Sequence, residues 1–161
     1  MDVNVQSSLI VRRAARADLP AIVALFADDA LGSHGDTTDP RAFPAYEAAF
    51  AQIEASANDQ LYVAELRGEI AGTFQTTLTP GLTGRGRPVF TIESVQTRAD
   101  LRGQGVGAAM IAFAVERARE AGARLVQLSS NAARTEAHRF YKRCGFVQSH
   151  VTFKMKLLAD S

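Results

Sequence analysis

The stretch VFTIESVQTRADLRGQGVGAAMIAFAV, Val89 to Val115, decides the fold. Val89 to Thr97 has the β-branched and aromatic content of a strand. Met110 to Val115 is apolar nearly all round, as in the middle of a buried helix. Between them stands Arg102-Gly103-Gln104-Gly105-Val106-Gly107. Glycines at a strand-to-helix junction let the backbone approach an anion closely. The free N–H groups of the first helical turn then point at it, and the helix dipole favours its negative charge. In physical terms this is a diphosphate cradle, to which Arg102 and Arg98 would add charge-assisted contacts. A glycine-rich turn kept only for tight packing explains the same residues, and a motif match stays a hypothesis until its context is known.

Working outward, Leu9 to Val11 opens the chain with a short strand. Asp18 stands at a helix N-cap with Pro20 in the first turn, and Leu19, Ile22, Val23 and Phe26 follow on one helical face. A breaker-rich loop over 32–40 leads to a second amphipathic stretch carrying Phe43, Tyr46, Phe50 and Ile53. Leu61 to Leu66, the tight turn Arg67-Gly68 and Ile70 to Leu78 read as a hairpin, followed by a Gly-, Pro- and Arg-rich loop over 79–88. On the other side, Gly122 ends the central helix and Leu125 to Leu128 forms a buried strand. Ala137, Phe140, Tyr141 and Cys144 stripe a last helix, stopped by Gly145, and Phe146 to Leu158 supplies two short strands around Gln148-Ser149-His150. The order β α α β β β α β α β β, without repeats or linkers, predicts one mixed α/β domain over 9–158 after a flexible tail, 1–8.

Bulk properties narrow the class. Of 161 residues, 18 are Lys or Arg and 17 are Asp or Glu, a formal charge of +1. A near-neutral chain has no large counterion-release term, so bulk capture of nucleic acid is not expected. No apolar run is long enough to span a membrane, and the mostly polar Met1 to Ser8 does not read as a signal peptide. The single Cys144 cannot form an intrachain disulfide, which points to a reduced, cytoplasmic compartment.

Gly103-x-Gly105-x-x-Ala108 also fits a loose dinucleotide fingerprint. That reading asks for a carboxylate near the end of the next strand and an opening βαβ unit. The next strand ends Gln127-Leu128-Ser129-Ser130-Asn131, and the motif sits mid-chain. The segment Ile92 to Leu157 instead resembles the GNAT superfamily of acyl-CoA-dependent N-acyltransferases. Its Arg/Gln-x-x-Gly-x-Gly/Ala hallmark matches Arg102 to Gly107, and its Ala-x-x-x-Tyr helix followed by Gly-Phe matches Ala137 to Tyr141 and Gly145-Phe146. The two are separated by one helix and one strand, as that fold requires. Val11-Arg12-Arg13-Ala14 with Asp18-Leu19-Pro20 looks like the family's opening. Glu136 to Tyr141, Ser149-His150 and Lys154 to Leu157 look like a bacterial small-amine branch that includes the aminoalkylphosphonate N-acetyltransferases.

The resemblance implies a mixed, mostly antiparallel sheet splayed between its fourth and fifth strands, about four flanking helices, and acetyl-CoA in the opening. It assigns the cofactor to Val95, Gln96 and Thr97, which would pair with pantetheine like another strand. It adds Arg102, Gly103, Gln104, Gly105, Val106, Gly107 and Ala108 for the diphosphate, with Asn131 and Arg134 reaching the pantetheine end. Arg134 departs from the family, which often has Asn there. The backbone N–H near Val95 becomes the oxyanion donor, and Tyr141 the general acid to the leaving thiolate. Plain core packing is the competing account of Tyr141.

Glu93 lies two residues before Val95, so a regular strand puts both on one face. Buried there, it is a candidate base with a raised pKa, or half of an ion pair with an arginine of 85–87. His150 is the next candidate for the base after Glu93, but it, His34 and His138 read more readily as ordinary histidines, and no spacing suits a metal. The expected function is transfer of acetyl from acetyl-CoA to a small-molecule amine, in a homodimer by resemblance. A protein lysine or N-terminal acetylase and a non-catalytic CoA-binding domain are the alternatives.

Overall fold

A computed structural model describes residues 8–32 and 34–158. The expected tail over 1–8 lies outside the described residues but for Ser8. Five strands form one sheet in the order β1-β2-β3-β4-β5: β1 (Leu9–Arg13), β2 (Asp59–Leu66), β3 (Glu69–Thr79), β4 (Val89–Thr97) and β5 (Leu125–Leu128). The first three pairings are antiparallel and β4 pairs β5 in parallel, as a mixed, mostly antiparallel sheet requires. Arg67 and Gly68 both adopt positive φ, 53° and 81°, which gives the β2–β3 hairpin a turn twisted like the strands it joins.

Helices α1 (Leu19–Ala27), α2 (Phe43–Ala55), α3 (Val106–Glu120) and α4 (Thr135–Arg143) cover the sheet. Successive strand residues face opposite sides. Tyr62 and Ala64 of β2 therefore join Phe74, Phe90, Ile92, Met110 and Ala114 in the core against α3, while the equally buried Val63 faces the other way. Tyr62 stacks on Phe74 at 5.0 Å and meets Phe113 edge-on at 5.2 Å. Leu19, Ile22 and Val23 are buried along α1 and Phe50 along α2. Asp18 flanks α1 as expected but does not cap it. Its carboxylate accepts the Ala15 N–H at 2.7 Å and binds Arg12 at 2.7 Å, joining the first strand to the first helix.

The last two strands are a correction. Residues 146–158 form no strand; past the Phe146 N–H, which donates to the Tyr141 carbonyl, the backbone enters no ladder. The alternation is in the sequence, but a strand exists only where a neighbouring edge accepts its hydrogen bonds, and none in the described chain does. No described helix is long and apolar enough to cross a membrane.

Candidate active site

The sheet opens where β4 outruns β5. Their pairing ends at Ile92 and Leu128, so Glu93 to Thr97 continue without a neighbour on that side. On the β3 side the register steps from Thr73–Gln96 to Gln75–Glu93. Two residues of β3 thus span three of β4, a bulge that leaves Ser94 and Val95 outside the regular pairing. Ser94 takes φ 55°, a left-handed conformation that costs a non-glycine residue roughly 1–2 kcal/mol. Strain of this kind concentrates at functional sites.

The bulge corrects the expectation for Glu93. Two-residue alternation does not hold across it, and Glu93 is exposed at the opening, not buried. Its expected ion pair with the arginines of 85–87 is not formed.

Beyond Thr97 the chain makes one turn over Ala99–Leu101 and enters α3. Gly103 and Gly105 hold φ 78° and 86°, with open space where a side chain would sit. Gly105 is the N-cap residue of α3, so the first free N–H groups of a 15-residue helix face outward beside it. Arg102, Gln104 and Ala108 are exposed there and Val106 anchors the turn in the core. Gly107 serves packing instead: a Cβ on it would meet Phe140 Cζ at 3.1 Å. The packing account therefore holds at Gly107, while no side chain presses on Gly103 or Gly105. Arg98 is taken up by Asp100 and Glu69, leaving Arg102 as the cation at the turn itself.

Tyr141 lies on α4, tilted against Phe140 at 5.2 Å and edge-on to Phe146 at 6.0 Å. Its ring packs on the core, yet among the described residues its hydroxyl has no hydrogen-bond partner. Burial pushes its pKa up, against a lowering influence from Arg134, so the phenol is protonated at neutral pH. Packing and a free acidic proton coexist in one side chain. Cys144, on the same helix, is half-buried against the core as expected, and burial raises its thiol pKa.

Asn131 and Arg134 are engaged by their own chain. Asn131 Oδ1 accepts the Ala133 N–H at 2.9 Å, and its carbonyl accepts His138 Nε2 at 2.9 Å. Arg134 Nη2 donates to both oxygens of Asp29 at 2.6 Å. Asp29, unremarked in the sequence, also accepts Gln96 Nε2 at 2.8 Å and the Gly32 N–H at 3.2 Å. Burial alone would raise its carboxyl, but Arg134, Gln96 and Gly32 outweigh it and hold the pKa below the usual aspartate range. One carboxylate thereby ties the end of α1 to β4 and to the entry of α4. Only its following Asp29-x-x-Gly32 spacing hinted at a local turn; its partners lie 67 and 105 residues away.

His34, His138 and His150 are separate, His150 being held by Ser149 Oγ at 2.6 Å. No three His, Cys, Asp or Glu side chains cluster for a metal among the described residues. An apolar hollow of about 310 Å³ lies between Pro20, Val23, Thr38, Pro40 and Phe43, and none of the residues above lines it.

A sheet that parts beside a glycine-capped helix N-terminus, with a phenol on the next helix, is the arrangement that the GNAT resemblance implies. The Acetyltransferase (GNAT) family profile matches residues 19–146, and the chain belongs to that family. It is 46% identical over 66 residues to the aminoalkylphosphonate N-acetyltransferase of Salmonella typhimurium, covering 41% of this chain and 43% of that protein. It is also 32% identical over 93 residues to an uncharacterized N-acetyltransferase of Methanocaldococcus jannaschii, covering 58% of this chain and 41% of that one. The matches thus span about two fifths of these relatives' length. Among solved structures, one described as a transcriptional regulator from Bacillus halodurans C-125 is 39% identical with a TM-score of 0.89, over 92% of this chain and 99% of that one. A putative acetyltransferase from Agrobacterium tumefaciens is 30% identical with a TM-score of 0.80, over 91% and 99%.

Proposed function

We propose that this chain moves an acetyl group from acetyl-CoA to the primary amine of a small molecule, by direct attack. The observation that carries the reading is the parting of β4 and β5 after Ile92 and Leu128, on the strand that leads into the Gly105-capped helix. The unpaired edge of Val95 to Thr97 suits an extended amide chain such as pantetheine. Arg102 and the N–H groups around Gly103 to Ala108 suit its diphosphate.

The chemistry then distributes over three groups. The amine nitrogen attacks the thioester carbonyl, whose oxygen takes negative charge and is stabilised by the Val95 N–H. The C–S bond breaks, and the thiolate receives the Tyr141 phenolic proton. The ammonium proton goes to Glu93, directly or through one water. Arg134 acts as a positioning residue, fixing Asp29 and through it the Gln96 side chain on β4. A small acceptor is favoured by the relative named for aminoalkylphosphonates. A cytoplasmic site belongs to the same reading, supported by the one unpaired cysteine.

Release of free thiol from acetyl-CoA, followed over aminoalkylphosphonates, amino acids, polyamines and a lysine peptide, tests this. Turnover with a small amine supports it. Turnover confined to the peptide makes the chain a protein acetylase, and CoA binding without turnover makes it a regulatory domain.

A further inference from the structure

Helix α4 carries three cations that the proposed chemistry does not use. Arg139, Lys142 and Arg143 are exposed, and none of them has a carboxylate partner among the described residues. Arg98, Arg117, Arg119 and Arg134, by contrast, are each paired with a carboxylate. Glu136, in the first turn of α4, leaves all three cations unpaired. The helix dipole accounts for a cation in the last turn, but it favours Lys142 and Arg143 alike and gives no account of Arg139.

The packing of α4 on α3 fixes where these cations stand. Phe140 rests on the first turn of α3, with its Cζ 3.1 Å from where a Cβ on Gly107 would lie. Successive helix residues are turned by about 100°, so Arg143 lies about 60° from Phe140 and Arg139 about 100°, both on the same side. Tyr141 and Cys144 lie on the other side, packed on the core. Lys142 is about 160° from Phe140, facing away from the contact. Arg139 and Arg143 are therefore neighbours, one turn apart, on the flank that borders the start of α3. The Gly105 N-cap and the exposed Arg102 stand at that same end of α3.

We propose that Arg139 and Arg143 hold the ribose 3′-phosphate of coenzyme A, apart from the turn that takes its diphosphate. The proposal rests on the acetyl-CoA reading and adds to it a means of telling that cofactor from its 3′-dephospho form. A phosphate monoester carries about −1.5 to −2 charge at pH 7 and three acceptor oxygens. Guanidinium groups donate paired N–H bonds to such an oxygen set, which the point charge of an ammonium does not. Two like charges one turn apart also repel each other and weaken the helix that holds them, a cost that an anion between them removes.

Calorimetric titration of the full chain with acetyl-CoA and with acetyl-3′-dephospho-CoA tests this without turnover. The wild type should bind acetyl-CoA about 5–30-fold more tightly, the gain expected of two solvent-facing charge-assisted contacts. That ratio should shrink as salt is raised. Arg139→Gln combined with Arg143→Gln should abolish the preference by weakening acetyl-CoA alone, with an unchanged far-ultraviolet spectrum. Lys142→Gln, on the opposite side of the helix, should keep the wild-type ratio. Equal affinities in the wild type, a preference retained by the double variant, or one lost in Lys142→Gln would each overturn the assignment. A wild type that binds neither cofactor would refute the acetyl-CoA reading itself, and the assignment with it.

Discussion

Arg134→Ala tests how the walls of the opening are held together. It removes the guanidinium that donates to both Asp29 oxygens at 2.6 Å. The carboxylate left behind has a side chain only 10% exposed and keeps Gln96 at 2.8 Å and the Gly32 N–H at 3.2 Å. Stranding one partner of a fully buried pair costs about 3–5 kcal/mol. Here the Arg134 side chain is 24% exposed and two hydrogen bonds survive, so about 1.5–3 kcal/mol is expected. At about 2–4 °C per kcal/mol that lowers Tm by roughly 3–12 °C. Urea unfolding of Asp29→Ala, Arg134→Ala and the double variant should give a coupling of about 1–2 kcal/mol. The pH dependence has a definite sign. Because the folded Asp29 pKa is depressed, its stabilisation is present above the ordinary aspartate range and lost as pH falls through the depressed value. The Arg134→Ala penalty should therefore be full at neutral pH and shrink below about pH 4. A coupling under about 0.3 kcal/mol, or a penalty equal at both ends of that range, would refute the reasoning.

Three further outcomes concern the chemistry. Tyr141→Phe keeps the ring contacts and should lower kcat by about 10²–10⁴ with CoA affinity nearly unchanged, while unchanged turnover in a chemistry-limited assay returns Tyr141 to packing alone. With its pKa raised by burial, wild-type kcat should show no basic limb from Tyr141 below the ordinary tyrosine range. Gly105→Val should abolish the rise in Tm that acetyl-CoA produces by mass action, since a β-branched residue is strained at φ 86° and deforms the turn. Retained stabilisation by the cofactor would remove Gly105 from the cradle. Glu93→Gln should lower kcat/KM across a series of amines, with CoA binding retained; unchanged turnover would leave Glu93 without a proton-transfer role.

Local chemistry made much of this protein legible in its sequence. Alternation and helical periodicity are short-range properties, so the elements from β1 to α4 and the Arg67-Gly68 turn could be read without a partner in view. The glycine turn before α3 was legible for the same reason, since Gly103 and Gly105 need positive φ whatever surrounds them. Three features depend on distant neighbours and belong to the tertiary structure. Gly107 is a packing glycine because Phe140 of α4 rests on it, which the motif spacing does not distinguish from an anion contact. Glu93 and Val95 do not follow simple alternation because a register step against β3 places a bulge at Ser94 and Val95, and register is a property of two strands. Asp29 is a keystone only because its partners come from segments 67 and 105 residues away. The sequence by itself determines that 146–158 can be a strand. Whether it becomes one is decided by an available edge, because a strand's backbone groups are satisfied by a neighbour and never by the strand itself.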